Sequence, residues 1–241
     1  MQDSTTQKPK AAPKPGAAKQ RDPHAKKAGA NRSWKQDPET VKADILSAAR
    51  AEFAAHGLSG ARISDIVERT QTSKRMIFYY FGDKEGLYLA VLDQAYREVR
   101  EAEAGLDLGD LPPDQALRKV IEFTFDHHRN HPDFIRLVMI ENIHDGDHMT
   151  KIETLSTTNI AAIDQLDRIC RDGIDAGLFR PDVSPLMIHW QISAMSFFNV
   201  SNRATFSMNF GEDLFADDMQ LLLREQVVQS IISSVTRPAS Q

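Results

Sequence analysis

From Val41 onward the apolar residues recur at helical spacing: Val41, Ile45, Ala48, Ala49 and Phe53 share one face, and Gly57 ends the run as a C-terminal stop. A short helix follows at about 63–69 with Ile66 and Val67 turned inward. Ser73 opens another that carries Met76, Ile77 and Tyr80 on its apolar side. Asp83 begins a fourth and longer helix through Leu87, Ala90, Val91, Ala95 and Val99. Residues 105–113, with two Gly and two Pro, form a break. Helical patterns resume at 115–130, stopped by His131-Pro132, and at 133–142, ended near His144-Asp145-Gly146-Asp147. Further runs lie at 149–176, at 186–210 after Pro181 and Pro185, and at 213–235. No run alternates with period two, and no internal repeat is present. The pattern predicts an all-α chain of about nine helices: an N-terminal three-helix unit with helix-turn-helix spacing, joined to a larger C-terminal helical domain.

The ends of the chain differ in charge. Residues 1–38 hold nine Lys or Arg against three Asp, a balance of +6, and the whole chain carries −5, so the rest carries −11. This N-terminal stretch is rich in Lys, Pro and Ala and has no apolar period, so it is expected to be a disordered basic arm. It would serve either as an inert solubilising tail or as a tether to DNA, offsetting the repulsion between an acidic body and a polyanion. The expected division is an arm at 1–38, a helix-turn-helix domain at 39–84, and a ligand-binding and dimerisation domain at 85–241. Cys170 stands alone, so no intrachain disulfide can form, and a reducing, cytoplasmic location is expected. No stretch approaches ~18 consecutive apolar residues, and no membrane partner is expected.

The turn Thr70-Gln71-Thr72 between two short helices carries the functional signal. Ser73 can cap the second of these helices, leaving backbone N–H groups free to meet a phosphate. Lys74 and Arg75 fall in the first turn, the part of a recognition helix that enters the major groove, where Arg reads guanine O6 and N7. Tyr79 and Tyr80 offer hydroxyls to phosphate oxygens, and Lys84 opens the next helix near the backbone. Alone, Lys74 and Arg75 would suit an ordinary solvated face, and Phe78 and Phe81 are expected in the core. The turn-then-helix frame is what favours double-stranded DNA as a partner.

The ordered set Ile45-Leu46-x-Ala48-Ala49-x-x-x-Phe53-x-x-x-Gly57, Ile63-Ser64-Asp65-Ile66, Ser73-Lys74 and Phe78-Tyr79-Tyr80-Phe81-x-x-Lys84-Glu85-x-Leu87 resembles the N-terminal domain of TetR-family regulators. The resemblance implies groove contacts from Lys74, Arg75 and Met76, and phosphate contacts from Ser73, Tyr79, Tyr80 and Lys84. Thr72 in the turn completes the expected DNA-binding set, with Arg62. Three positions depart from the family pattern. Phe78 stands where Tyr is frequent, Gln71 where Gly is usual, and Arg62 where a Thr usually caps the second helix. Arg62 cannot cap, but it could grip phosphate. The C-terminal half is loosely similar to the subgroup that includes the pyrimidine-utilisation repressor, especially around Pro132-Asp133 and Glu141-Asn142-Ile143.

In that half a single effector pocket is expected among the segments 115–130, 133–142, 150–177 and 186–210. Its apolar lining would come from Phe125, Met139, Ile163, Leu166, Trp190, Met195 and Phe198, and its polar groups from His128, Arg136, Asn159, Gln191 and Asn199. Most of the Met and Phe set could equally be core. His127, His128 and His131, or His144, Asp145, Asp147 and His148, could suggest a metal, yet no second cluster at fixed spacing supports one. No metal or cofactor is expected. Met219, Leu222, Leu223, Val227, Ile231 and Val235, with Leu186, Ile192 and Phe197, suggest a homodimer face of four-helix-bundle type, although the stripe could also face the protomer's own core. Together these readings imply a repressor of a palindromic operator, released by a small-molecule effector. The alternatives are a DNA-binding architectural factor without a ligand and, more remotely, a metal-dependent enzyme. No nucleophile elbow or phosphate loop supports the enzyme.

Overall fold

A computed structural model describes residues 37–238, with side chains for all of these except 156–159. The expected basic arm lies outside the described residues, save for Asp37 and Pro38 at the start of the first helix. Ten α-helices follow in order: α1 (Pro38–Gly60), α2 (Ile63–Glu68), α3 (Lys74–Phe81), α4 (Lys84–Ala104), α5 (Pro113–Asn130), α6 (Pro132–Ile143), α7 (Thr154–Asp175), α8 (Pro185–Ser201), α9 (Arg203–Phe210) and α10 (Asp217–Val235). Pro occupies the first turn of α1, α5, α6 and α8, where its missing N–H has no helical partner to lose. Gly57, at φ 66°, breaks the helical path near the end of α1, where the sequence places the stop. Among the described residues there is no strand, only an isolated bridge between Phe179 and Thr236.

Three long runs divide differently from expectation. The 186–210 run ends α8 at Asn202, whose amide donates to the Ser201 hydroxyl and so offers the chain a local alternative to helix. Short 3-10 turns at Met149–Lys151 and Asp213–Phe215 precede α7 and α10.

The described residues from Asp37 on cluster as one compact unit. Inside the unit are two cores. The first gathers Ile45, Phe53, Ile66, Ile77, Leu92 and Ile135 from α1, α2, α3, α4 and α6. The second gathers Leu117, Ile121, Phe125, Phe179, Val228 and Ile231. The expected dimer stripe splits between inside and outside. Ile192, Val227, Ile231 and Val235 are buried in the protomer's own second core, and Phe197 packs against the first. Leu186, Met187, Met219, Leu221 and Leu222 remain exposed. Apolar residues circle α10 on more than one side, so spacing alone does not tell its two faces apart.

Candidate DNA interface and buried cavity

The recognition turn is held by short-range chemistry. Ser73 Oγ accepts from the Met76 N–H at 3.4 Å and caps α3, and Asp83 caps α4 by accepting from the Gly86 N–H at 2.7 Å. Gln71, in place of the usual Gly, donates its backbone N–H to Asp44 of α1 at 3.2 Å, which ties the turn to the first helix. Arg62 leaves α2 without a side-chain cap. The buried carboxylate of Glu52 stands in, 3.4 Å from the Arg62 N–H and 3.4 Å from the Arg69 guanidinium. Spacing hints at this role, since Glu52 sits between Ala49 and Phe53 at the apolar edge of α1.

Lys74 and Arg75 are exposed in the first turn of α3, and Tyr79 is 76% exposed. Met76 and Thr72 are half-buried, and the backbone N–H of Thr72 donates to Thr70. Tyr80 packs partly against the first core with the Lys42 ammonium 5.6 Å from its ring centroid. Lys84 departs from a purely phosphate-facing role: its ammonium donates to the Ala61 carbonyl at 3.2 Å, closing the end of α1, and it keeps its other N–H donors. Arg62 is exposed beside the same surface.

A cavity of about 440 Å³ lies between α4, α5, α6 and α8. Tyr96, Arg100 and Glu103 project into it from α4, His127 and His128 from α5, and His189 and Trp190 from α8. Arg100 pairs with Glu103 one turn away on the same helix. His127, His128 and Ser196 are buried, and among the described residues the Nδ1 atoms of both histidines and the Ser196 hydroxyl have no hydrogen-bond partner. Burial pushes both imidazoles down to about 4. For His127 the next causes are His131 and then Arg50 and Arg100; for His128 they are His127 and then Arg100. His189 is also lowered, chiefly by burial. At neutral pH the three rings are therefore uncharged, each with one donor and one acceptor nitrogen. Burial raises the Tyr96 phenol to about 12.

The structure does not bring the expected lining together in one pocket. His128 and Trp190 border this cavity. Phe125 is fully buried in the second core, as is Leu166. Arg136 and Met139 border two other clefts, and Asn199, hydrogen-bonded to Gln220, borders one of these. Met195 and Phe198 are exposed on the outer side of α8, while Ile163 and Gln191 are half-buried and border none of the three. The Asn159 side chain lies outside those described. Tyr96, Arg100, Glu103, His127 and His189 were missed. Val99 and Glu103 stand four residues apart, and this was the available signal that a charged residue shares the inward face of α4.

A capped recognition helix with an outward cationic turn, followed at once by a long helix that reaches a half-open cavity, defines a DNA-binding regulator of the helix-turn-helix class. Residues 45–91 match the model of bacterial regulatory proteins of the tetR family, and residues 113–231 match the tetracyclin repressor-like C-terminal domain. The transcriptional repressor NicS of Pseudomonas putida is 36% identical over 179 residues, covering 74% of this chain and 84% of that protein. The transcriptional regulator RutR of Escherichia coli K12 is 35% identical over 100 residues, 42% of this chain and 47% of its own. A crystal structure of a tetR-family regulatory protein from Rhodococcus RHA1 shares the fold, with a TM-score of 0.64 at 18% identity over 82% of this chain and 98% of that one. The chain belongs to the TetR family of DNA-binding transcription regulators. No described helix is long and apolar enough to cross a membrane, and no described group of His, Cys, Asp and Glu could hold a metal ion.

Proposed function

We propose that the chain acts in the cytoplasm as a homodimeric repressor, reading a palindromic operator through α3 and leaving it when a small molecule fills the cavity between α4, α5, α6 and α8. One observation carries this reading: α4 connects the two sites. It begins two residues after α3, and its far half presents Tyr96, Arg100 and Glu103 to the cavity. A ligand that prefers one position of α4 therefore biases the position of α3, and its differential affinity sets the size of the response. The unpartnered imidazole nitrogens favour a ligand over a purely architectural role, because buried polar atoms are normally satisfied.

In this reading Lys74, Arg75 and Met76 enter the major groove. Ser73, Thr72, Tyr79, Tyr80, Lys84 and Arg62 face the phosphates. The exposed apolar residues of α8 and α10 pack against a second copy in a four-helix arrangement. The two recognition helices would then stand about one DNA turn, roughly 34 Å, or a multiple of it apart.

Gel retardation of a fragment from the chain's own promoter region tests the head. Arg75→Ala should weaken binding by roughly 5- to 150-fold, the equivalent of about 1–3 kcal/mol for a bidentate base contact. Unchanged affinity in that variant overturns the assignment. A metabolite screen tests the cavity: a binder at 100-fold over its dissociation constant should stabilise the fold by roughly 2.7 kcal/mol.

A further inference from the structure

A second cleft lies between α6, the end of α8 and the segment 202–216, and it shares no lining residue with the cavity described above. Its volume is about 720 Å³, inside the range of roughly 300–1,000 Å³ that small-molecule sites occupy. Its charge is anomalous. Arg129, Arg136 and Arg203 border it against Glu212 alone, a balance of +2 within residues 39–241 that together carry −11.

Two of these guanidinium groups, on Arg136 and Arg203, have no carboxylate within ion-pair reach among the described residues. Arg203 instead lies 5.3 Å from the centroid of the Phe215 ring. Arg129 pairs with Asp217, whose side chain is 92% exposed, so an incoming anion can displace it at little cost. The floor is already satisfied: Asn199 and Gln220 exchange amide hydrogen bonds of 2.8 and 3.1 Å, and Gln220 also donates to the Leu214 carbonyl. Polar demand at this site is thus confined to its cationic rim.

The remaining wall is apolar and adaptable. Met139 and Phe215 are half-buried, and Met208 is 86% exposed on α9, a helix with no buried side chain. Methionine suits flexible, chain-like ligands because its thioether and three rotatable bonds let it repack. We propose that this cleft is a second binding site, for an amphiphile with an acidic head on the arginines and a linear apolar tail along Met139, Met208 and Phe215.

Calorimetry on the full chain tests this with sodium decanoate and decyltrimethylammonium, both below their micellar concentrations. Decanoate should bind saturably, and the cationic amphiphile at least tenfold more weakly. Arg136→Gln combined with Arg203→Gln should weaken decanoate at least tenfold without moving the melting temperature, because both side chains are exposed. His128→Phe, in the other cavity, should leave decanoate binding as in the unaltered chain. Equal affinity for the two amphiphiles, absence of saturable decanoate binding, or loss of it in His128→Phe but not in the arginine variant would each overturn the proposal. A Met208→Asp variant that turns a dimer into a monomer would overturn it as well, since the cleft would then be covered by a second copy of the chain.

Discussion

Around the first core, the buried polar and charged atoms meet hydrogen-bond or ion-pair partners. The Tyr88 hydroxyl donates to Glu141 at 2.7 Å, His148 Nδ1 lies 3.1 Å from the same carboxylate, and Glu52 faces Arg69 and the Arg62 amide. Beside the cavity, His127 and His128 each keep one ring nitrogen without a partner among the described residues. A closed polar network fixes one structure, whereas an open one leaves free energy to be gained by whatever completes it. The first core is therefore built to hold one shape, whereas the cavity lined by His127 and His128 leaves polar groups to be completed.

The largest expected effects test whether these regions are separate at all. Phe53 anchors the first core and Phe125 the second, and both are fully buried. Phe53→Ala and Phe125→Ala should each cost about 3–5 kcal/mol. Because the described residues from Asp37 on form one compact unit, either change should lower a single calorimetric transition. Two transitions, only one of them moved by each substitution, would show that the head folds on its own.

Acid should destabilise the fold through the two buried imidazoles. The folded pKa of His127 and of His128 is about 4, below the unfolded value of roughly 6.5. The unfolded chain thus binds more protons between these values, so stability is full above about pH 6.5 and falls as the pH drops toward 4. The loss is on the order of 3 kcal/mol for His128 and smaller for the less enclosed His127. Chemical denaturation at pH 7 and pH 5 should show a fall that His128→Phe reduces. A stability flat over that interval would mean the rings are not held neutral.

What the sequence reveals follows the range of the interaction involved. The stop at Gly57, the Ser73 cap and the inward set Ile45, Phe53 and Ile77 depend on neighbours within one or two turns, and all are legible. The α8 break at Asn202 is local too, but it lies inside an apolar run that reads as continuous. Arg100 and Glu103 face inward because α5 and α8 close over them, and within α4 only the Val99–Glu103 spacing hints at it. Val227 and Ile231 fall inside the protomer and Leu222 outside for the same reason: the partner helices decide, and these come from distant sequence. Lys74 and Arg75 were legible because their exposure depends only on their place in the first turn.

A smaller effect sharpens the contrast between closed and open networks. Tyr88→Phe removes the hydroxyl that donates to Glu141, leaving that buried carboxylate to His148. Loss of about 1–3 kcal/mol is expected from a buried acceptor deprived of one donor. Ser196→Ala, which removes a hydroxyl that already lacks a partner, should cost much less. If the two variants lose equal stability in matched urea titrations, the distinction between the regions fails.

A further modest effect on stability bears most directly on DNA. Gly82 joins the recognition helix to α4 at φ 78°, a conformation that L side chains seldom adopt, while a Cβ placed there would meet nothing within 4 Å. Gly82→Ala therefore costs conformational energy alone, about 1 kcal/mol. The chain can relieve that strain only by changing the angle between α3 and α4, since the caps of Ser73 and Asp83 hold both helix starts. Operator affinity should consequently fall by more than the stability does, even though the substituted residue need not touch a base. A variant that loses about 1 kcal/mol of stability yet binds its promoter fragment unchanged would mean that the head reaches the groove without a fixed angle at this joint, and that α4 does not transmit the state of the body to α3.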